Sequence, residues 1–461
     1  MADMPFILDQ AQFATPIHVL RASEWRPWIE SRADAMKRLA DIHDFRAQAG
    51  RILIIPGTDG AIERVVFGLG DKASPMLIGA LAQHLPSGDY RIAAAPREFA
   101  AGMVAVAWGL GAYAYQRYRA RKRPAPRLVM PEGADAGEAL RLVDAAWLVR
   151  DLVNTPAGDM GPDALHAEAE RVARDNQAGF EAIVGDALLK ENYPLIHAVG
   201  RAAAQAPRLL RLTWGLSDAP IVALVGKGVT FDTGGLNIKT EGSMRLMKKD
   251  MGGAAHALAL AQMIMQSGLP VRLEVFLPVV ENSISGDAFR PGDVLKSRKG
   301  LTVEVDNTDA EGRLILADAL TRACELNPML LFDFATLTGA ARVALGPDIP
   351  PFFTDDDALA ADLQRASEET WDPIWRLPMW DAYDSDMDSP IADLKNTGDG
   401  GFAGAIFGAL FLRRFVDAKA WAHFDVFAWS PKERPAKPAG GEAHALRAAW
   451  RTIRHRFPKT S

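Results

Sequence analysis

The sequence predicts an α/β protein with two domains: a smaller N-terminal α/β domain and a larger domain with a mainly parallel or mixed central sheet flanked by helices. The chain has 461 residues, of which 49% are hydrophobic, more than one ordinary core accommodates. From about residue 221 onward, continuous apolar strands alternate with helical segments, which is typical of a sheet covered on both faces. A charged, proline-rich stretch, RKRPAPR at 121–127, precedes this part of the chain.

The N-terminal part alternates short apolar strands with helices. Glycines punctuate the strands, and the spacing of apolar residues indicates the helices. The predicted strands are RILIIPG (51–57), IERVVFGLG (62–70), DYRIAAA (89–95) and PRLVMPEG (126–133), and the predicted helices span about 75–85 and 99–116. We therefore expect a small α/β domain over residues 1–130, a linker helix over 131–160 and the second domain over 161–461.

The C-terminal part shows the clearer alternation. Its predicted strands are IVALVG (221–226), VRLEVFLPVV (271–280), LTVEV (301–305) and MLLFDFATL (329–337), and its predicted helices span 252–266 and 314–326. In sheets of this kind, functional sites gather at the carboxyl ends of the strands. Functional side chains are therefore expected just after these strands.

Charge and cysteine content exclude several classes of protein. The formal net charge of -6 includes no long basic run, which argues against a nucleic-acid partner. The single cysteine, Cys324, allows neither an intrachain disulfide nor a tetrathiolate zinc site. The N-terminal segment MADMPFILDQAQF lacks the basic and apolar regions of a secretory signal. These features favour a cytoplasmic location.

One uncharged segment, Phe99 to Gln116, approaches the length of a membrane-spanning helix. It contains three glycines and two tyrosines, which suit a close-packed buried helix better than a lipid-facing one. No membrane partner is therefore expected.

Two of the three clusters of candidate functional residues contain glycine pairs. In VGKGVTFDTGGLNIK (225–239), Lys227 and Asp232 follow a strand, and Lys239 lies seven residues further on. In RLMKKDMGGAAHAL (245–258), Asp250 precedes the glycines that open a helix. Taken alone, Asp250 is better explained as an ordinary helix N-cap, because Asp is enriched at helix starts.

The third cluster is NTDAEGRL (307–314), between a strand and a helix. If this segment is extended, residues two apart point the same way, so Asp309, Glu311 and Arg313 would share one face. With Asp232 and Asp250, four carboxylates would then meet at one edge of the sheet and repel one another unless a cation neutralised them. The pattern predicts a site for Mn, Mg or Zn ions, with two metals sharing carboxylates as a common hydrolytic arrangement.

Two other kinds of site match poorly. The histidines form no His-Glu-x-x-His metallopeptidase motif. The Gly226-Lys227 pair is followed by Gly228 where a phosphate-binding P-loop needs serine or threonine, and Ile221 stands where that loop needs glycine.

Together, these motifs resemble the leucyl aminopeptidase family of dinuclear metal aminopeptidases. NTDAEGRL stands as the family's signature octapeptide, and GKGVTFDTGG, the lysine of NIK and KDMGGAA resemble its other motif blocks in the expected order. ENSISGDAFRPGDVL and FATLTGA extend the resemblance over most of residues 150–345. The resemblance implies a C-terminal catalytic α/β domain behind the smaller N-terminal domain.

The resemblance also implies a role for each matching residue. The implied metal ligands are Lys227, Asp232, Asp250, Asp309 and Glu311. Asp232 and Glu311 would bridge both ions, and Lys227 would ligate as the neutral amine. The two ions per subunit would be Zn and/or Mn, with Mg or Co as alternatives.

The implied catalytic pair is Lys239 and Arg313. Lys239 would help to stabilise the oxyanion, and Arg313 would hold a bicarbonate that relays protons. The substrate would be a peptide with a free N-terminus, whose α-amine binds one metal. The family usually assembles as a homohexamer.

The substrate pocket combines matches with a departure. Met247, Thr336 and Gly339 match pocket positions of the family, whereas Phe427 and Trp429 stand where many members have small residues. A preference for leucine at the N-terminus of the substrate therefore does not follow from these residues. Because some relatives bind DNA, the alternative function is a DNA- or nucleotide-ligand-binding protein that retains the fold.

Overall fold

The computed structural model of the chain describes residues 4–8, 13–72 and 74–459. Part of the N-terminal segment on which the absence of a secretory signal rests, residues 1–3 and 9–12, lies outside these ranges. The chain forms two compact units, residues 1–147 with 430–439 and residues 148–429 with 440–461. Residues 430–439, which the sequence places in the second domain, thus belong to the first unit.

The first unit contains a six-stranded sheet with the order β1-β6-β5-β2-β4-β3. All neighbouring pairs are parallel except β3 and β4, so the antiparallel strand lies at one edge. Its strands are β1 (Phe6–Ile7), β2 (Thr15–Leu20), β3 (Ile52–Pro56), β4 (Ile62–Gly68), β5 (Asp89–Ala94) and β6 (Arg127–Val129). The helices are α1 (Ala22–Glu30), α2 (Asp34–Ile42), α3 (Gly79–His84), α4 (Ala101–Ala112) and α5 (Ala136–Asn154), the last continuing into the second unit.

The uncharged helix α4 is buried, and glycine allows neighbouring backbone to approach it closely. A Cβ on Gly111 would lie 2.1 Å from the carbonyl oxygen of Gly79, so only glycine lets α4 approach α3 this closely. Trp108, on the same helix, is fully buried. Among the described residues, no helix combines the length and apolar character needed to cross a membrane. Gly109 and Gly111 therefore serve close packing, whereas a Cβ on Gly102 would meet open space.

The second unit is built on a nine-stranded mixed sheet with the order β16-β15-β18-β14-β9-β11-β8-β7, and β10 also pairs with β11. The four central strands β18, β14, β9 and β11 are parallel, whereas β8 and β7 continue the sheet in antiparallel fashion. The strands are β7 (Gly179–Val184), β8 (Arg208–Trp214), β9 (Ile221–Gly226), β10 (Gly228–Asp232), β11 (Arg272–Asn282), β14 (Leu330–Ala335), β15 (Pro351–Phe353), β16 (Trp375–Arg376) and β18 (Trp421–Asp425). A small sheet joins β12 (Val294–Lys296), β13 (Thr302–Glu304) and β17 (Leu394–Lys395), and β19 (Trp429–Ser430) pairs with β20 (Gly440–Gly441).

Helices cover both faces of this central sheet, as the continuous apolar strands predict. Ala223 and Val225 of β9 share one hydrophobic cluster with α8, α11 and α14, and the alternate residues Val222 and Leu224 are buried on the other face, where α10 packs against β9. The helices are α6 (Pro162–Asp175), α7 (Ala187–Lys190), α8 (Pro194–Gly200), α9 (Glu241–Met244), α10 (Gly252–Ser267), α11 (Glu311–Cys324), α12 (Ala341–Leu345), α13 (Asp357–Thr370), α14 (Gly404–Arg413) and α15 (Leu446–Arg456). This confirms the predicted α/β fold with a mixed sheet in the larger unit.

Candidate metal centre

The carboxyl ends of adjacent strands in the second unit bring polar side chains to one edge of the sheet. Lys227 follows β9, Thr336 follows β14, and Asp232, Asn282 and Asp425 end β10, β11 and β18. All five are buried. The parallel order of the central strands, rather than closeness in sequence, assembles this edge.

A cluster of three carboxylates lies at this edge. Asp232, Asp309 and Glu311 each offer an oxygen atom, and these oxygens lie within 4.8 Å of one another. Asp232 and Glu311 are buried, whereas 32% of the Asp309 side chain is exposed. The cluster is therefore reachable from solvent on the side of Asp309.

Two lysines neutralise part of this negative charge. The Lys227 Nζ lies 2.7 Å from Asp250 Oδ2 and 2.9 Å from Glu311 Oε1. The Lys239 Nζ lies 2.8 Å from Asp232 Oδ2 and also pairs with Asp309. Burial acts to lower the pKa of Lys227, but Asp250, Glu311 and Asp232 together raise it above the usual value of a lysine.

The two lysines do not balance all of the negative charge of these carboxylates. Burial, followed by the charge of Asp232, raises the pKa of Glu311 to about 8. The same two causes raise the pKa of Asp309 to about 6. Carboxyl groups with pKa values raised in this way gain from any added cation.

The donor set fits divalent metal ions. Glu311 Oε2 is buried and accepts no hydrogen bond from any described residue, and Asp250 Oδ2 has only the ammonium of Lys227 beside it. A buried carboxylate oxygen without a donor is costly unless a cation binds it. Hard oxygen ligands of this kind suit Mn, Mg or Zn.

Glycines make room for the charged side chains. A Cβ on Gly312 would lie 2.4 Å from Lys227 Cε, so glycine after Glu311 lets this lysine reach the carboxylates. Gly234 has φ +85°, and its carbonyl accepts the Thr308 hydroxyl at 2.6 Å. These contacts hold the loop after β10 against the segment that carries Asp309.

The expectation that 309–313 is extended is wrong. Helix α11 begins at Glu311, so Glu311 and Arg313 lie two positions apart on its first turn and point in different directions. The buried Arg313 donates from Nη1 to the carbonyl of Asn396 at 2.7 Å rather than to a carboxylate of the cluster. Burial lowers the pKa of Arg313 to about 10.

The structure also distinguishes between the two explanations of Asp250. Helix α10 has Met251 at its N-cap position, and Asp250 lies in the preceding 3-10 turn, Met247–Met251. Its Oδ1 accepts the Thr336 hydroxyl at 2.8 Å, and its Oδ2 pairs with Lys227. Asp250 therefore belongs to the charged cluster and is not a helix cap.

Two of the three expected pocket residues, Thr336 and Met247, lie beside Asp250. Thr336 contacts Asp250 directly, and Met247 opens the 3-10 turn that carries Asp250. Gly339 is exposed, and a Cβ built on it would lie 3.2 Å from the Arg342 guanidinium. Thr336 and Met247 are thus tied to Asp250, whereas Gly339 borders Arg342.

Sequence reasoning missed several residues of the site. Asn282 donates from Nδ2 to Asp232 Oδ1 at 2.8 Å, and Asp425 accepts the N–H groups of Leu337 and Thr338 at 2.9 and 3.1 Å. Their positions at strand ends are the signal that could have identified them. His423, on the same strand as Asp425, pairs with Asp333 of β14, with Nδ1 2.6 Å from Asp333 Oδ1.

Comparisons with known proteins agree with this site. The catalytic-domain model of the cytosol aminopeptidase family matches residues 147–449, and the N-terminal-domain model of M17 aminopeptidases matches residues 15–131. A protein of Syntrophotalea carbinolica named "Probable cytosol aminopeptidase" is 43% identical over 304 residues, which cover 65% of this chain and 61% of that protein. The aligned region thus spans about three fifths of that relative's length.

Solved structures match over almost the whole chain. The cytosol aminopeptidase of Coxiella burnetii superimposes with a TM-score of 0.94 at 43% identity, covering 98% of this chain and 99% of that one. The bottromycin maturation enzyme BotP in complex with Mn has a TM-score of 0.86 at 33% identity, covering 96% and 99%. The predicted family and the predicted class, a hydrolase of the aminopeptidase type, are confirmed at the level of the family. The chain therefore belongs to the M17 cytosol aminopeptidase family, whose members depend on metal ions.

Proposed function

We propose that the chain is a metallo-aminopeptidase that releases N-terminal amino acids from peptides with water activated at a dinuclear metal site. The observation that carries this proposal is the incompletely neutralised cluster of Asp232, Asp309 and Glu311 at the carboxyl edge of the central sheet. Bound divalent ions would lower the pKa of a water molecule and polarise the scissile carbonyl.

The proposed metal ligands are Lys227, Asp232, Asp250, Asp309 and Glu311. The contacts of the two lysines support two cation positions, because Lys227 reaches Asp250 and Glu311 while Lys239 reaches Asp232 and Asp309. Each pair of carboxylates thus already holds one positive charge. As a ligand, Lys227 would have to give up its proton, so metal binding would release protons.

The proposed metals are Zn and/or Mn, with Mg or Co as alternatives. The carboxylates accept any of these ions, and the Mn complex of BotP supports Mn.

Family relatives named cytosol aminopeptidase support a cytoplasmic location. Assembly as a homohexamer remains part of the proposal.

Lys239 and Arg313 are the proposed catalytic cations. Lys239 is only 12% exposed and contacts Asp232 and Asp309, so its ammonium is fixed where an oxyanion formed beside the metals would need it. The Arg313 Nε–H finds no hydrogen-bond acceptor among the described residues, which leaves this donor for a small oxyanion such as bicarbonate. A peptide with a free α-amine is the proposed substrate, because that amine can bind a metal.

The alternative function, DNA or nucleotide-ligand binding, gains no support from the family matches. The negative charge of the carboxylate cluster would repel a phosphate backbone. A single assay tests the peptidase proposal: release of p-nitroaniline from aminoacyl anilides by apo-protein refilled with Mn, Zn, Mg or Co.

The assay includes three controls. N-acetylated anilides should not be cleaved, Asp309→Ala should abolish turnover, and Asp218→Ala, which removes an exposed carboxylate of the same unit, should leave turnover unchanged. Absence of turnover with every metal and every free-amine substrate would overturn the proposal.

A further inference from the structure

An arginine with no acidic partner lies beside the carboxylate cluster. The Arg342 guanidinium lies 4.2 Å from the centre of the Phe427 ring and donates from Nη1 to the carbonyl of Thr338 at 3.0 Å. Among the described residues, it forms no ion pair with a carboxylate. A half-buried guanidinium that binds one carbonyl and one ring keeps several N–H donors available.

The nearest carboxylate on this side is already satisfied. Asp425 accepts the N–H groups of Leu337 and Thr338, and its Oδ2 accepts the Thr338 hydroxyl at 2.6 Å. With its oxygens occupied, Asp425 does not need Arg342 as a partner. Burial lowers the pKa of Arg342 and the charges of Asp425 and Asp250 oppose this from a distance, but neither carboxylate forms an ion pair with it.

Short contacts connect Arg342 to the proposed metal site. Lys249 Nζ lies 3.9 Å from Asp250 Oδ1 and 5.4 Å from the centre of the Phe427 ring, whose face also contacts Arg342. Gly339 leaves the guanidinium accessible, since that residue has no side chain and is exposed. The Lys249 ammonium and the Phe427 ring thus connect Asp250 to the Arg342 guanidinium.

We propose that Arg342, supported by Phe427, determines specificity by binding the carboxylate of an acidic N-terminal substrate residue, aspartate or glutamate. This inference rests on the proposed function, because the α-amine must be held at the carboxylate cluster. The side chain of the N-terminal residue branches from the carbon that bears this amine, so it projects from the cluster towards its immediate surroundings. On the side of Asp250 and Thr336, those surroundings include the buried Lys249, Phe427 and Arg342.

Phe427 contributes shape as well as a ring face. It is partly exposed two residues after the end of β18, and in the proposed pocket its ring would take up space that a branched apolar side chain needs. A planar carboxylate can form two parallel hydrogen bonds with a guanidinium, which an apolar side chain cannot. The site therefore favours a charged residue over leucine by both attraction and reduced apolar volume.

A purely structural role for Arg342 makes a different prediction. If its function is only to hold the loop after β14 through the Thr338 carbonyl, replacing it will lower activity towards all substrates by a similar factor. If it binds the substrate carboxylate, the loss will be confined to acidic substrates and will appear mainly in KM.

The test compares kcat/KM for glutamyl, glutaminyl and leucyl p-nitroanilides, since glutamine is the uncharged isostere of glutamate. The wild type should prefer the glutamyl over the glutaminyl substrate by about 10- to 100-fold, the range expected for one charge-assisted hydrogen-bonded pair. Arg342→Met should remove this preference and change the rate with leucyl anilide by about threefold or less. Arg342→Lys should retain part of the preference, because it keeps the charge but loses the planar fork.

A matched control separates contact from overall charge. Arg245→Met removes an exposed arginine two residues before Met247 and should leave the glutamyl preference intact. A wild-type ratio near one, or an equal loss with all three substrates in Arg342→Met, would overturn the specificity role while the peptidase function stands. No turnover of any free-amine substrate would overturn the proposed function and this inference with it.

Discussion

Buried polar groups behave differently in two regions of the larger unit. Away from the carboxyl edge of the sheet, Asp318 of α11 accepts hydrogen bonds from the backbone N–H groups of Leu195 and Arg298 at 2.8 Å each. At the carboxyl edge, Glu311 of the same helix accepts no hydrogen bond from any described residue and contacts only a lysine. Both carboxyl groups are fully buried.

The difference separates groups that stabilise the fold from groups kept available for a ligand. Burial raises the pKa of Asp318 to about 7, and its N–H donors oppose that rise, whereas at Glu311 the charge of Asp232 adds to the effect of burial. The repulsion among the carboxylates at the carboxyl edge therefore lowers the stability of the apo-protein, and a bound cation would relieve it. Substitutions in the two regions should then affect stability and activity in opposite ways.

The largest expected effect is on activity, from Glu311→Gln. Because burial and Asp232 raise the pKa of Glu311 to about 8, glutamine resembles the protonated form, and the apo-protein should unfold at an equal or higher denaturant concentration. Activity should fall by roughly 10²–10³-fold or more, as metal-stabilised charge is lost. Urea unfolding in chelator and anilide turnover in Mn would measure the two quantities. A destabilised apo-protein would show that Glu311 supports the fold instead.

The opposite pattern is expected for Asp318→Ala. It would leave the N–H groups of Leu195, Ile196 and Arg298 without their acceptor, at a cost of about 3 kcal/mol in the free energy of unfolding. The turnover number per folded molecule should stay within about twofold of the wild type. Asp318→Asn, which keeps one acceptor oxygen, should show a smaller loss of stability. A large fall in turnover number with stability unchanged would contradict this division of roles.

Metal binding should affect both variants in a way that sharpens the contrast. At about 100 times its dissociation constant, Mn should stabilise the wild type by about 2.7 kcal/mol, visible as a higher unfolding temperature. Asp318→Ala should gain as much as the wild type, whereas Glu311→Gln should gain clearly less. Calorimetry with and without chelator would measure these shifts. Equal gains in all three proteins would place the ion elsewhere.

Sequence predicted the larger unit better than the detail of its site. Strand β9 has the bounds predicted for IVALVG, because a continuous apolar run between glycine and proline has few alternatives. The antiparallel strands β7 and β8 were missed, since their alternation of polar and apolar residues is weaker.

At the site, sequence identified which residues meet but not how they meet. The strand-end rule and the family resemblance together point to Asp232, Asp309 and Glu311, which the fold brings within 4.8 Å. The predicted geometry of Glu311 and Arg313 was wrong, because the start of a helix depends on capping and packing that a short stretch of sequence does not reveal. Arg342 and Phe427 come together only through the parallel pairing of β14 and β18.

The smallest expected effect concerns pH and a buried histidine outside the cluster. His256 Nε2 accepts the backbone N–H of His444 at 3.0 Å, so Nδ1 carries the proton and donates to the Gly252 carbonyl at 2.6 Å. Burial lowers the pKa of His256 to about 4. Between this value and that of an exposed histidine near 6.5, the unfolded chain binds a proton that the native protein does not, so stability falls as the pH falls.

From pH 7 to pH 5, this one group should lower the free energy of unfolding by about 2 kcal/mol. The variant His256→Gln should be less stable at pH 7, because glutamine cannot reproduce both hydrogen bonds, but its stability should fall less steeply on acidification. Urea titrations of both proteins in chelator at pH 7, 6 and 5 would measure the two slopes and keep metal release out of the comparison. Parallel slopes would mean that His256 is protonated in the native protein, which would require the His444 amide to turn away from Nε2.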